Sequence, residues 1–143
     1  MVAGNEYRFK IRAKNFYSHY YNLGDLAPWG AENTFYSSDL PQTVKELTFT
    51  NRTKTDATIV WEHLSSQALK GYSTIDPFYL LWVDDCQGGE ITNLLVNSTT
   101  TVKYTISNIP PGSVCRFRMN VLNIIDYSSE YSATQPVLFA AIP

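Results

Sequence analysis

Apolar and polar residues alternate along most of this chain with a period of two, the pattern of strands that turn one face to a core and the other to water. The alternation is strict in Ala57-x-Ile59-x-Trp61, Phe78-x-Leu80-x-Trp82 and Val102-x-Tyr104-x-Ile106. Val44-x-x-Leu47-x-Phe49, Ile91–Val96, Val114–Asn123 and Val137–Ala141 add four further strand-like segments. The seven are spaced at intervals of roughly 10 to 20 residues, as in an antiparallel sandwich. No segment sustains a 3.6-residue period between caps, so helix content is expected to be near zero. Ahead of these segments, residues 5–15 read as a strand, Phe16 to Ala27 as a Tyr-rich connection, and 29–38 as the region of a return strand. The stretch Ser37-Ser38-Asp39-Leu40-Pro41-Gln42 gathers turn residues between alternating segments and marks a joint near Leu40.

An internal repeat changes the picture. Gly4-x-x-Tyr7-Arg8-Phe9-x-Ile11-x-Ala13-x-Asn15 returns 108 residues later as Gly112-x-x-Cys115-Arg116-Phe117-x-Met119-x-Val121-x-Asn123. Gly, Arg, Phe and Asn recur at identical offsets, so the chain holds two copies of one β-unit. The second copy follows a long run of strand-like sequence, whereas only Met1-Val2-Ala3 stands before the first. Residues 1–39 are therefore expected to be the last two strands of one domain, and 40–143 a whole domain, cut from a longer array.

Trp61 at the end of its strand, the aromatic-x-Leu-x-aromatic segment 78–82, and Ile109-Pro110-Pro111-Gly112 leading into Cys115-x-Phe117-x-Met119-x-Val121-x-Asn123 closely resemble a fibronectin type III domain. The resemblance covers 41–143 as a full module and 4–38 as the end of a preceding one. It implies an all-β, seven-stranded, antiparallel Greek-key sandwich, immunoglobulin-like, with Trp61 as a core anchor. Phe78, Leu80, Trp82, Tyr104, Ile106, Phe117, Met119 and Val121 complete the expected core. The family usually places a Tyr where Cys115 stands, its hydroxyl bonding nearby backbone at a corner. Since the third and sixth strands of the family are antiparallel neighbours, and counting by twos sets Cys86 on the face of Phe78, Leu80 and Trp82, the resemblance implies that Cys86 and Cys115 meet. Two readings follow: a disulfide, or two buried thiols in a reducing compartment.

Charge and composition exclude several functions. The formal net charge is −2, and the 11 Lys and Arg are scattered, so no basic stripe exists for a nucleic acid backbone. The longest apolar runs, such as Val137–Ile142, fall far short of the roughly 20 residues of a bilayer span, so no membrane span is expected in this segment. Met1–Glu6 lacks the basic and apolar regions of a signal peptide, so a signal on a secreted parent is expected upstream. His19 and His63 stand far apart without a carboxylate pattern, and no base–nucleophile pair can be assembled. The doublet Asp84-Asp85 reads as a solvated strand end, because a calcium site needs more oxygen ligands at regular spacing. Two Cys do not make a zinc site. No cofactor, no metal and no catalysis are expected.

What remains is surface. Two sequons, Asn51-Arg52-Thr53 and Asn97-Ser98-Thr99, fall in predicted loops; both glycosylated and unmodified asparagines are open readings. Tyr17, Tyr20 and Tyr21 lie in a loop of paratope-like composition, which reads either as a contact patch or as aromatic padding at a joint. The long connection Glu62–Pro77 carries Leu64, Leu69, Tyr72 and Ile75, too apolar for a purely solvated loop. The leading functional expectation is a non-catalytic structural, adhesion or assembly module of a tandem array, outside the cell or at its surface. Its partners are neighbouring fibronectin type III modules of the same polypeptide and a protein partner in a larger assembly. Two other expectations are an accessory carbohydrate- or peptide-binding module of an enzyme, and an intracellular scaffold module on a filament or cytoskeletal structure.

Overall fold

A computed structural model describes residues 1–13 and 29–140. The chain divides into two compact units, Met1–Ser37 and Ser38–Pro143. Among the described residues every regular element is a strand.

The first unit is an antiparallel pair, β1 (Glu6–Phe9) and β2 (Asn33–Tyr36), with Tyr7 opposite Phe35 and Phe9 opposite Asn33. Alternation puts Tyr7, Phe9 and Phe35 on one face, where the Phe35 ring stacks on Tyr7 at 5.5 Å and meets Phe9 edge-on at 6.0 Å. Beyond the regular pairing, the Lys10 and Arg12 cations sit over the Trp29 ring, 5.0 and 4.0 Å from its centroid. At its open end the pair is closed by Gly4 N–H donating to the Ser37 carbonyl (2.8 Å) and Ser37 N–H donating to that of Asn5 (3.1 Å).

The second unit is a sandwich of two antiparallel sheets. One has the order β3 (Thr48–Thr50), β4 (Ala57–Val60), β7 (Lys103–Ile106); the other has the order β6 (Asn93–Ser98), β5 (Phe78–Val83), β8 (Val114–Leu122), β9 (Gln135–Leu138). Between them Ala57, Ile59, Trp61, Leu81, Val83, Phe117, Met119, Val121, Val137 and Phe139 are buried. Tyr104 and Ile106 pack against this core half-buried.

Strand β5 departs from its expected face. Tyr79, Leu81 and Val83 point into the core, so Phe78, Leu80 and Trp82 point out. Phe78 is 38% exposed, Trp82 is half-buried, and Leu80, though only 3% exposed, lies outside the core cluster. The cause is that every residue of Phe-Tyr-Leu-Leu-Trp-Val is apolar. Alternation then cannot say which parity is inside, and a one-residue slip exchanges the faces. Two strand limits also differ. β6 runs on to Ser98, so Asn97 lies on a strand, not in a loop. β9 starts at Gln135 and holds Pro136, which an edge strand tolerates because no neighbour needs its missing N–H.

Past the reach of β9, the flank of β8 is closed by an irregular segment. Ser132 N–H and Oγ bond the carbonyl and N–H of Met119 (2.7 and 2.8 Å), and Ser128 does the same for Val121 (2.6 and 3.1 Å). The long connection after β4 folds back on its own sandwich. Leu64 is buried, its N–H donates to the Tyr79 hydroxyl at 2.8 Å, and Leu69 packs against the core. Asn123 ties it down, donating through Nδ2 to the carbonyls of Asp39 (2.7 Å) and Lys70 (3.0 Å).

Candidate functional site beside the Cys86 and Cys115 disulfide

Strand β5 ends at Val83, and the chain turns through Asp84-Asp85-Cys86 into a Gly-rich loop. The turn is held by its own carboxylates. Asp85 Oδ1 accepts the N–H groups of Gln87 and Gly89, both at 2.9 Å, and these bonds hold its carboxyl below the usual carboxylate range. Gly89 lets the Asp85 carboxylate come this close: a Cβ there would stand 2.6 Å from it and push the carboxylate aside. Cys86 adopts a left-handed φ of 60°, which re-aims it toward β8.

There Cys86 and Cys115 form a disulfide, with their Cα atoms 4.1 Å apart. The route to this pairing differs from counting by twos: the core parity of β5 runs through Tyr79, Leu81 and Val83, and the turn delivers Cys86 to Cys115.

Asp84 is the second element of the site, and it is no solvated strand end. Its side chain is fully buried. Oδ1 accepts the N–H groups of Cys86 (2.9 Å) and Arg116 (3.1 Å), while Oδ2 accepts Arg116 Nε at 2.9 Å. Arg116 Nη2 also donates to the Gly89 carbonyl. A carboxylate taken out of water in this way is tolerable because both oxygens are satisfied and a cation lies against it. The Asp84 carboxylate and the two sulfurs lie within 4.8 Å of one another, the spacing of a metal centre. With the sulfurs bonded to each other, no thiolate is left to bind one.

A cleft of about 600 Å³ opens beside this cluster, lined by Gly88–Thr92, Arg116, Arg118 and Thr134. Arg118 lies over the Tyr131 ring, 3.8 Å from its centroid, and reaches the Ile91 carbonyl at 3.4 Å.

The remaining expected site residues fall elsewhere. Tyr17, Tyr20 and Tyr21, and with them His19, lie outside the described residues. His63 stacks on Tyr79 at 4.2 Å and its Nε2 bonds the Thr101 carbonyl (2.9 Å), which gives the ring a packing role. Burial raises the Tyr79 hydroxyl above its ordinary pKa. Asn51 is exposed just after β3 with φ 50°, and Asn97 is exposed on β6. Asp84 and Arg116 were not assigned a joint role from sequence; the signal available was Arg recurring at the same offset in both repeats.

No family model and no curated protein matches this chain. Solved structures do. A two-domain fibronectin type III segment from chicken tenascin shares 17% identity, covering 95% of this chain and 66% of that one, with a TM-score of 0.57. The extracellular region of rat CD45, domains d3 and d4, gives 13%, 96% and 66%, at 0.57. A segment of titin gives 16% identity over 77% of this chain and 36% of its own, so this chain spans about a third of it, at 0.59. The chain has the fibronectin type III fold, a β-sandwich of immunoglobulin-like architecture.

Proposed function

We propose that this chain is a non-catalytic spacer and contact element of a tandem fibronectin type III array that works outside the reducing cytosol. In this reading Met1–Ser37 is the closing strand pair of one module and Ser38–Pro143 the module that follows it. The observation that carries it is the match between β1–β2 and β8–β9. Glu6 faces Tyr36 as Val114 faces Leu138, Phe9 faces Asn33 as Phe117 faces Gln135, and Gly4 and Gly112 precede them with φ of 85° and 87°. Tyr7 also accepts the Val2 N–H on its hydroxyl at 2.6 Å, the corner bond that the fold uses at this position. Similarity to multidomain segments agrees with an array. The disulfide supports an oxidising compartment, where such bonds persist.

Amide hydrogen exchange on the 143-residue chain tests the array. A lone strand pair is marginal in water, so amides of β1 and β2 are expected to exchange orders of magnitude faster than those of β5 and β8. Equal protection in a monomeric chain overturns the assignment. Thiol alkylation of natively sourced protein tests the compartment: Cys86 and Cys115 are expected to resist alkylation until reduced, and labelling without reductant moves the array into the cell.

A further inference from the structure

Antiparallel sheets with one face on a core ordinarily turn polar side chains outward. Strand β8 of the four-stranded sheet does so with Arg116, Arg118 and Asn120, but its neighbour β5 does not. Phe78, Leu80 and Trp82 of β5 point out, flanked by Leu94 of β6 opposite Trp82 and Leu122 of β8 opposite Phe78. Phe78 and Leu94 are 38% and 43% exposed. Trp82 Nε1 donates to Asn120 Oδ1 at 2.9 Å, so the indole leans across the face instead of standing away from it. Such a surface, left to water, is an association liability.

One polar residue stands over this stripe. Asn97 of the edge strand β6 is directly opposite Leu80, which sets its side chain on the outer face with Phe78 and Trp82 as diagonal neighbours. It is exposed, its amide makes no hydrogen bond among the described residues, and it opens the sequon Asn97-Ser98-Thr99. Asn51, the other sequon residue, follows β3, whose outward neighbours are Thr48 and Thr50.

We propose that Asn97 is the glycosylated sequon of this chain and that the first sugars of its N-linked glycan lie over Phe78 and Trp82, which flank the already buried Leu80. The inference rests on the oxidising compartment proposed above. The donor is a lipid pyrophosphate-linked oligosaccharide. Asn97 Nδ2 forms a bond to the anomeric carbon, the bond from that carbon to the pyrophosphate oxygen breaks, the lipid pyrophosphate leaves with the electron pair, and the amide nitrogen gives up one proton. The C–H faces of the sugar rings then cover the aromatic stripe, removing apolar area from water.

The experiment is secretion of the full chain from a eukaryotic host, with intact mass and peptide mapping before and after enzymatic deglycosylation, alongside Asn97→Gln and Asn51→Gln. Hydroxyl-radical footprinting of the same samples reads the cover. Expected are a glycan on Asn97, its loss in N97Q but not in N51Q, and Trp82 and Phe78 oxidation that rises severalfold when it is removed while Ile125 is unchanged. A disulfide-bonded chain with bare Asn97 overturns this inference alone. Occupied Asn97 with unchanged Trp82 oxidation overturns the cover, as does protection of the bare stripe by self-association. Free thiols in the secreted chain overturn the compartment reading beneath it.

Discussion

Strands β1 and β2 form the same hairpin as β8 and β9 and meet the opposite fate. Register, the left-handed glycine before the first strand and the pair of closing hydrogen bonds all recur: Gly4 N–H reaches the Ser37 carbonyl as Gly112 N–H reaches that of Phe139. Burial does not recur. Phe117 and Met119 are 0% exposed, whereas Phe9 and Ile11, their counterparts, are 47% and 73% exposed. Local sequence thus suffices to specify how two strands pair, but the apolar face stabilises only where a second sheet closes over it. The copies also differ at one corner. Tyr7 holds its strand with a hydroxyl, and Cys115 holds the equivalent point with a covalent bond to Cys86.

Substitutions at matched positions sharpen this contrast. Phe117→Ala is expected to lower the stability of the sandwich by about 3–5 kcal/mol in denaturant titration, while Phe9→Ala changes that transition by less than about 0.5 kcal/mol. Equal effects would break the comparison. Replacing Cys86 and Cys115 together by Ser is expected to cost about 3–4 kcal/mol by the chain-entropy argument, measured as a lower urea midpoint with a steeper slope, because the unlinked denatured chain exposes more surface. Asp84→Asn leaves Arg116 half-buried against a neutral partner and is expected to cost about 1–3 kcal/mol. The counterpart change, Glu6→Gln beside Arg8, removes a solvent-exposed 3.0 Å pair and is expected to fall within about 1 kcal/mol of zero, read by exchange of the β1 amides. Gly112→Ala tests the backbone alone. A Cβ there meets nothing within 4 Å, so only the left-handed backbone resists it, at about 1–2 kcal/mol in thermal unfolding.

Sequence made β8 legible because its faces differ: Cys115, Phe117, Met119 and Val121 alternate with Arg116, Arg118 and Asn120. It could not orient β5, where both faces are apolar and only packing against Phe117 and Met119 chooses between them. The repeat marked Arg116 as distinctive without showing why, since its partner Asp84 lies 32 positions away and becomes buried only when β5 and β8 pair. Asn97 was expected in a loop because the apolar run of its segment ends at Val96; its place on β6 comes from pairing with β5. Tertiary contact, absent from any local window, decided each of these.

The two serines that flank β8 have a wider consequence. Ser128 and Ser132 are four positions apart, yet they satisfy residues of β8 only two apart, because each serine spends its own N–H and hydroxyl on one partner. A stretch so spaced cannot be a regular strand, and it offers no ladder of its own for a further strand to join. The sheet is therefore capped against growth along that part of the flank, and the edge left to a further strand is the short β9, blunted by Pro136.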